Sequence, residues 1–306
     1  MVDIPCITTI SISKSFGSRP LFTDISFSVS PDEKMGLIGP NGSGKSTLLK
    51  ILAGTEYPDS GEVARKRGTR LIYLSQEDVF DPGRTVGELL LADLPGDLQD
   101  WERSKRLDEI RNLVGFADLN QSVATLSGGW RKRLAIGQAL LRNPDVLLMD
   151  EPTNHLDLEG ILWLEKLLQS ASFAFLLVSH DRYFLENVTN RIVELDKRYA
   201  NGYLKVEGNY SSFIERRARF IAQQTRQELT LSNTVRREIE WLRRGPKART
   251  TKARSRIDSA NQLIDDLAEV QYRNTLKRSA RIDFEATERK TKILLAGKKL
   301  SKSRSG

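Results

Sequence analysis

The chain has one cysteine, Cys6, among its 306 residues. That excludes an internal disulfide and a cysteine-built zinc cage, and the expectation is a reducing, cytoplasmic setting. No stretch approaches the roughly 18 consecutive apolar residues that span a bilayer, so a membrane-embedded chain is excluded. The opening Met1-Val2-Asp3-Ile4-Pro5 lacks the basic and long apolar regions of a secretory signal. Proline almost vanishes from residues 208–300, where Pro246 stands alone, and the long stretches on either side suit helix. Apolar residues at 39% suffice for a core, and charged residues at 29% imply a highly charged surface. The length suggests about two domains.

Charge is divided unevenly. Residues 201–306 hold 25 Lys/Arg against 12 Asp/Glu, a net of +13, and residues 1–200 hold 23 against 28, a net of −5. A mildly acidic front and a strongly basic back point to a polyanion partner for the back, nucleic acid or anionic membrane. A solvated, charged helix would give the same count.

The first 200 residues alternate strand-like and helix-like stretches. Ile7, Ile10 and Ile12, then Ile25, Phe27 and Val29, predict half-buried strands. Near-continuous apolar runs at Met35–Ile38, Leu71–Leu74, Val146–Met149 and Phe175–Val178 predict buried strands of a mainly parallel sheet. Helical patterns fall at Lys45–Ala53, Leu98–Val114, Trp130–Leu141, Leu158–Gln169 and Arg182–Val188. The fold class is therefore α/β. Beyond residue 207, Ile214, Ile221, Val235 and Leu242 lie on a seven-residue grid, with Leu231 and Ile239 beside it. After a turn at Gly245-Pro246, Ile257, Ile264, Leu267 and Val270 make a second stripe. Two antiparallel helices packed on each other satisfy both. The expected division is 5–207, 208–280 for the basic hairpin, and 281–306. Around the hairpin tip stand Arg243, Arg244, Lys247, Arg249, Lys252, Arg254 and Arg256, with no acidic residue among them.

Gly39-Pro40-Asn41-Gly42-Ser43-Gly44-Lys45-Ser46 fits the phosphate-binding pattern G-x-x-x-x-G-K-[ST] between a strand and a helix. Its glycines let backbone N–H groups face phosphate oxygens, Lys45 adds a point charge, and the Ser46 hydroxyl suits Mg²⁺. Asp150 and Glu151 end a hydrophobic strand, as a Mg²⁺ partner and a base for the attacking water would. Ser127-Gly128-Gly129 opens a helix with a capping hydroxyl and free amides, a second phosphate-binding end.

Taken in order, the P-loop, Gln76, Leu126-Ser127-Gly128-Gly129, Asp150-Glu151, Pro152-Thr153-Asn154-His155-Leu156-Asp157 and His180 after Leu177-Val178-Ser179 resemble an ATP-binding-cassette ATPase domain. The resemblance implies a P-loop cassette with a helical subdomain that binds ATP with Mg²⁺ through Gly39–Thr47. It also implies adenine stacking on Phe16, and Mg²⁺ and water contacts from Gln76. His180 would meet the γ-phosphate, and Ser127, Gly128 and Gly129 would face ATP held by a second cassette. A full site then needs two cassettes head to tail, here a homodimer.

Trp130 stands where transporter cassettes commonly have glutamine, and Ser179-His180-Asp181-Arg182-Tyr183-Phe184 resembles the ABC-F proteins. In that family a charged helical hairpin joins two cassettes. Glu238–Arg249 resembles its Uup-type linker, and Leu300–Ser303, like Ile12–Ser15, resembles the opening of a second cassette that this sequence does not continue. Arg304 stands where that cassette's stacking aromatic would be. The family implies work on the ribosome, between tRNA and ribosomal RNA, and weak ATPase activity for a lone cassette. Structured DNA would suit the same basic tip, and a transporter ATPase subunit with a helical tail is the third reading.

Overall fold

The computed structural model describes residues 4–94, 98–243 and 251–275. The strands of the front half are β1 (Ile7–Phe16), β2 (Arg19–Ile25), β3 (Ser28–Val29), β4 (Lys34–Ile38), β5 (Ser60–Arg65) and β6 (Leu71–Leu74). Those that follow are β7 (Val146–Asp150), β8 (Ala174–Val178), β9 (Arg191–Leu195) and β10 (Tyr203–Glu207). The helices are α1 (Lys45–Ala53), α2 (Val86–Ala92), α3 (Asp100–Val114), α4 (Gly128–Leu141), α5 (Leu158–Gln169), α6 (Arg182–Val188), α7 (Tyr210–Arg243) and α8 (Thr251–Thr275).

An antiparallel sheet is centred on β1, which pairs with β2, β3 and β5. The larger sheet runs β10-β9-β4-β8-β7-β6, parallel throughout except for β10 at one edge. Its inner strands read as unbroken apolar runs because both faces are covered. Val146 and Leu148 of β7 point into a core shared with α1 and the antiparallel sheet. Leu147 and Met149 point the other way, against α4, α5 and α6. A third core, around Val86, Leu90, Val114 and Leu134, joins α2, α3 and α4 into a helical subdomain.

Helices α1, α5 and α6 begin and end where the sequence predicts. Two starts shift with their caps. Gln99 and Glu102 form a capping box that starts α3 at Asp100 rather than Leu98. Ser127 accepts from the Trp130 N–H and starts α4 at Gly128. The alternation Ile25, Phe27, Val29 is not one strand. All three side chains are buried, but Asp24 has φ 55° and the Ser26 hydroxyl takes the Ser11 N–H at 2.7 Å. The ladder breaks there into β2 and β3. Helix α2 and strands β5, β9 and β10 are additional to those read from the sequence.

Helix α7 has 34 residues, about 51 Å at 1.5 Å per residue. Its first turns are built into the cassette. Asn209 Oδ1 accepts the Ser212 N–H (3.1 Å), and Glu186 accepts from Asn209 Nδ2 (2.5 Å) and the Ser211 N–H (2.7 Å). Phe213 is buried among Phe184, Leu185 and Val206. Ile214, placed on the helix–helix seam by the seven-residue grid, is instead 41% exposed, because Phe213 takes the inward position there. Farther out, Val235 is buried as the grid predicts. Arg256 of α8 bonds both oxygens of Glu238 (2.9 and 3.1 Å) and lies 4.2 Å from the Trp241 ring centroid. Among the described residues no helix is long and apolar enough to cross a membrane. The expected second-cassette opening, Leu300–Ser303, and Arg304 lie outside the described residues.

Candidate nucleotide site

The loop Gly39–Gly44 leaves β4 and enters α1 at Lys45. Gly39 has φ 151°, and a Cβ there would lie 2.5 Å from the Leu195 carbonyl oxygen. Gly44 has φ 92°, and a Cβ would lie 2.9 Å from the Phe22 ring. The loop can wrap this tightly only with glycine at both places. Lys45 is buried, and its Nζ donates to the carbonyls of Gly39 (3.0 Å) and Pro40 (3.2 Å). Burial pulls its pKa below the ordinary lysine value, opposed by Glu151 and Asp150. Ser43 Oγ is buried with no hydrogen-bond partner.

Asp150, the last residue of β7, is 3% exposed. Burial raises its pKa and the Ser46 hydroxyl opposes the shift. The Tyr73 phenol, on neighbouring β6, is pushed up to about 12 by burial and by its contact with Asp150. Asp150 Oδ1 is buried and without a partner. An orphaned carboxylate oxygen next to a serine hydroxyl is an oxygen donor set that fits Mg²⁺.

Glu151 follows with φ 49°, a left-handed conformation uncommon for a residue with a Cβ. Its N–H bonds the Val178 carbonyl of β8 at 3.0 Å. Its side chain accepts from Asn154 Nδ2 at 2.7 Å and lies 3.5 Å from His180 Nε2. Strands β7 and β8 are adjacent, with Asp150 opposite Val178, and this brings Glu151 to His180. Asn154, three residues on, holds the other side of the carboxylate.

Leu74 pairs with Met149, so Gln76 emerges just beyond the level of Asp150 at the carboxyl end of the sheet. Its side chain is exposed, and its backbone carbonyl accepts from Lys132 Nζ at 3.2 Å. Phe16 ends β1 opposite Arg19 and is 58% exposed. Its partner strand, β2, carries the Phe22 that abuts Gly44.

The Ser127-Gly128-Gly129 end of α4 lines a separate cavity of about 560 Å³ together with Trp130, His155 and Asp157. His155 lies against both glycines. None of the residues lining that cavity belongs to the Gly39–Thr47 loop. Trp130 packs on Phe116 at 5.0 Å and, with Trp163, sandwiches the Arg133 guanidinium at 4.9 and 4.8 Å.

Of the basic tip, Arg243 ends α7 exposed, and Arg256 is engaged by Glu238 and Trp241 within the hairpin. Lys252 and Arg254 fall on α8. Arg244, Lys247 and Arg249 lie outside the described residues. Three residues of the site were missed by sequence reasoning: Tyr73, Asn154 and Lys132. The last left a readable sign. It stands on the apolar stripe of α4, four residues before Ile136 and seven before Ala139, where a charged side chain is out of place.

The ABC transporter family matches residues 22–154. The front of this chain has the fold of an ABC-type ATP-binding cassette. The solved ATP-binding cassette MJ0796, a dimer in a post-hydrolysis state with ADP and Pi, is similar to it with a TM-score of 0.56 and 25% identity. That similarity covers 66% of this chain and 99% of the other. The chain is 39% identical over 289 residues to YfmR of Bacillus subtilis, an uncharacterized ABC transporter ATP-binding protein, covering 83% of this chain and 46% of that one. It is 36% identical over 293 residues to the energy-dependent translational throttle protein EttA of Escherichia coli K12, covering 84% and 52%. EttA of Mycobacterium tuberculosis is 33% identical over 313 residues, covering 91% and 54%. The chain thus spans about half the length of the curated relatives it matches.

Proposed function

We propose that this chain is an ABC-F-type ATPase that acts on translating ribosomes through its basic hairpin. One observation carries the reading: the cassette continues without a break into a two-helix hairpin whose tip is strongly basic, in a chain similar along most of its length to proteins named translational throttles.

The chemistry is hydrolysis of ATP to ADP and phosphate. Backbone amides of Gly39–Thr47 and the Lys45 ammonium hold the phosphates, and Phe16 stacks on the adenine. Mg²⁺, held by Ser46, Asp150 and Gln76, would neutralise charge on the phosphate oxygens. Glu151, fixed by Asn154 and facing His180, takes a proton from water as the water oxygen attacks the γ-phosphorus. The bond from that phosphorus to the bridging oxygen breaks, and ADP leaves.

Arginine and lysine at the hairpin tip would displace counterions from RNA phosphates, and arginine binds them with a planar fork. Ribosome co-sedimentation with a non-hydrolysable ATP analogue tests the reading. Binding that depends on the analogue, and that branched DNA does not compete away, supports it. Binding to DNA in preference to ribosomes overturns the choice of partner.

A further inference from the structure

Lys132 is among the largest fully buried side chains of the described residues, at 1% exposure, and it is a lysine in a helix core. Its ammonium has three hydrogens and finds three acceptors. Nζ donates to the Ser75 carbonyl (3.2 Å), the Gln76 carbonyl (3.2 Å) and Asp78 Oδ1 (3.0 Å), and Asp78 Oδ2 lies 2.8 Å away. The Asp78 side chain is 9% exposed. A buried ion pair of this kind is a poor source of stability, because desolvating both charges offsets their attraction. An apolar side chain would fill the same space with less loss. What the ammonium supplies instead is geometry: a tetrahedral set of donors that fixes two consecutive carbonyls of a segment outside any strand or helix. That segment carries Gln76, and the helix that carries Lys132 is capped by Ser127.

We propose that Lys132 is a positioning residue for ATP hydrolysis. It locks the Gln76 loop to the first turns of α4, so that the loop at one ATP and the Ser127-Gly128-Gly129 end that faces a second cassette move as one body. Asp78 holds the ammonium in place from the far side. The proposal rests on the reading that Gln76 serves hydrolysis, and it adds the link between Gln76 and α4.

Because Lys132→Met alone leaves the Asp78 carboxylate buried without its partner, the main variant is the full chain with Asp78→Asn and Lys132→Met together, both charges removed. Its dissociation constant for Mg-ATP should stay within about twofold of wild type, since Lys45 and the P-loop are untouched. Its turnover should fall about 10- to 100-fold, the scale of a misplaced reacting group. The deciding measurement is the cycle with Gln76→Ala. If Lys132 acts through Gln76, adding Gln76→Ala to the Asp78→Asn/Lys132→Met protein lowers turnover no further. Losses that multiply, or an Asp78→Asn/Lys132→Met protein that turns over at the wild-type rate, overturn the proposal. A Gln76→Ala protein with wild-type turnover overturns the role of Gln76 and the proposal together, while nucleotide binding through Lys45 stands.

Discussion

The Nε2 atom of His180 stands 3.5 Å from Oε1 of Glu151, each residue just beyond the end of one of two neighbouring parallel strands. On its other oxygen Glu151 is held by Asn154 at 2.7 Å. A carboxylate held by Asn154 and flanked by His180, on a backbone at φ 49°, has the fixed geometry the proposed general base requires.

Glu151→Gln should therefore bind ATP as wild type does and hydrolyse it about 10²–10⁴ times more slowly, the range for a positioned general base. Phosphate release alongside nucleotide titration checks both halves. Turnover at the wild-type rate would move the base elsewhere.

The cavity at the Ser127-Gly128-Gly129 end includes no residue of the Gly39–Thr47 loop, and under the proposed reading each of the two would complete its site against a second copy. Specific activity should rise with protein concentration, as two copies meet head to tail. Sedimentation of Glu151→Gln with ATP should show the dimer. Turnover strictly proportional to enzyme at concentrations where only monomer sediments would contradict this.

Reversing charge at Arg243, Arg244, Arg249 and Arg254 should abolish ribosome or RNA association and leave ATP binding intact. Association by the unmodified chain should weaken steeply with salt, as counterion release requires. Filter binding across a salt series reads both.

The foot of the hairpin is part of the cassette core through Phe213, 1% exposed. Phe213→Ala should cost about 3–5 kcal/mol, as buried aromatic truncations do. Thermal unfolding should show the cassette melting earlier, with α7 lost in the same transition rather than in a separate one.

Asp145 accepts from the Arg70 side chain (3.2 and 3.4 Å) and from its N–H (2.7 Å), and these bonds hold its pKa below the ordinary 3.8. A carboxyl with a depressed folded pKa stabilises the fold above the unfolded value and ceases to do so as pH falls through the folded one. Arg70→Gln should thus lower stability at neutral pH, by less than about 1 kcal/mol because the pair is solvent-exposed. Denaturant midpoints of the two proteins should converge in acid below pH 3.8. A constant gap down to the acid limit would show that Arg70 acts through packing.

The phosphate loop, the strand-end carboxylates and the Ser-Gly-Gly helix start were legible in the sequence because each is contiguous. Spacing along the chain is there nearly the same as spacing in space, and a glycine or a capping serine acts on its immediate neighbours. The apolar runs of β4, β6, β7 and β8 and the bounds of α1, α5 and α6 were legible for the same local reason. Helix α2 and the edge strand β10 were not, being short.

The strand order β8-β7-β6 was decided by the tertiary structure, and with it the meeting of Glu151 with His180 and of Tyr73 with Asp150. Packing also chose Phe213 over Ile214 at the foot of α7, since the cassette offered an apolar pocket before α8 could offer a seam. The clearest case is Lys132. Its sequence neighbours assign it only a place on an apolar stripe. The carbonyls of Ser75 and Gln76 that neutralise the cost of burying it come from more than fifty residues away, brought there by the packing of α4 on the end of β6.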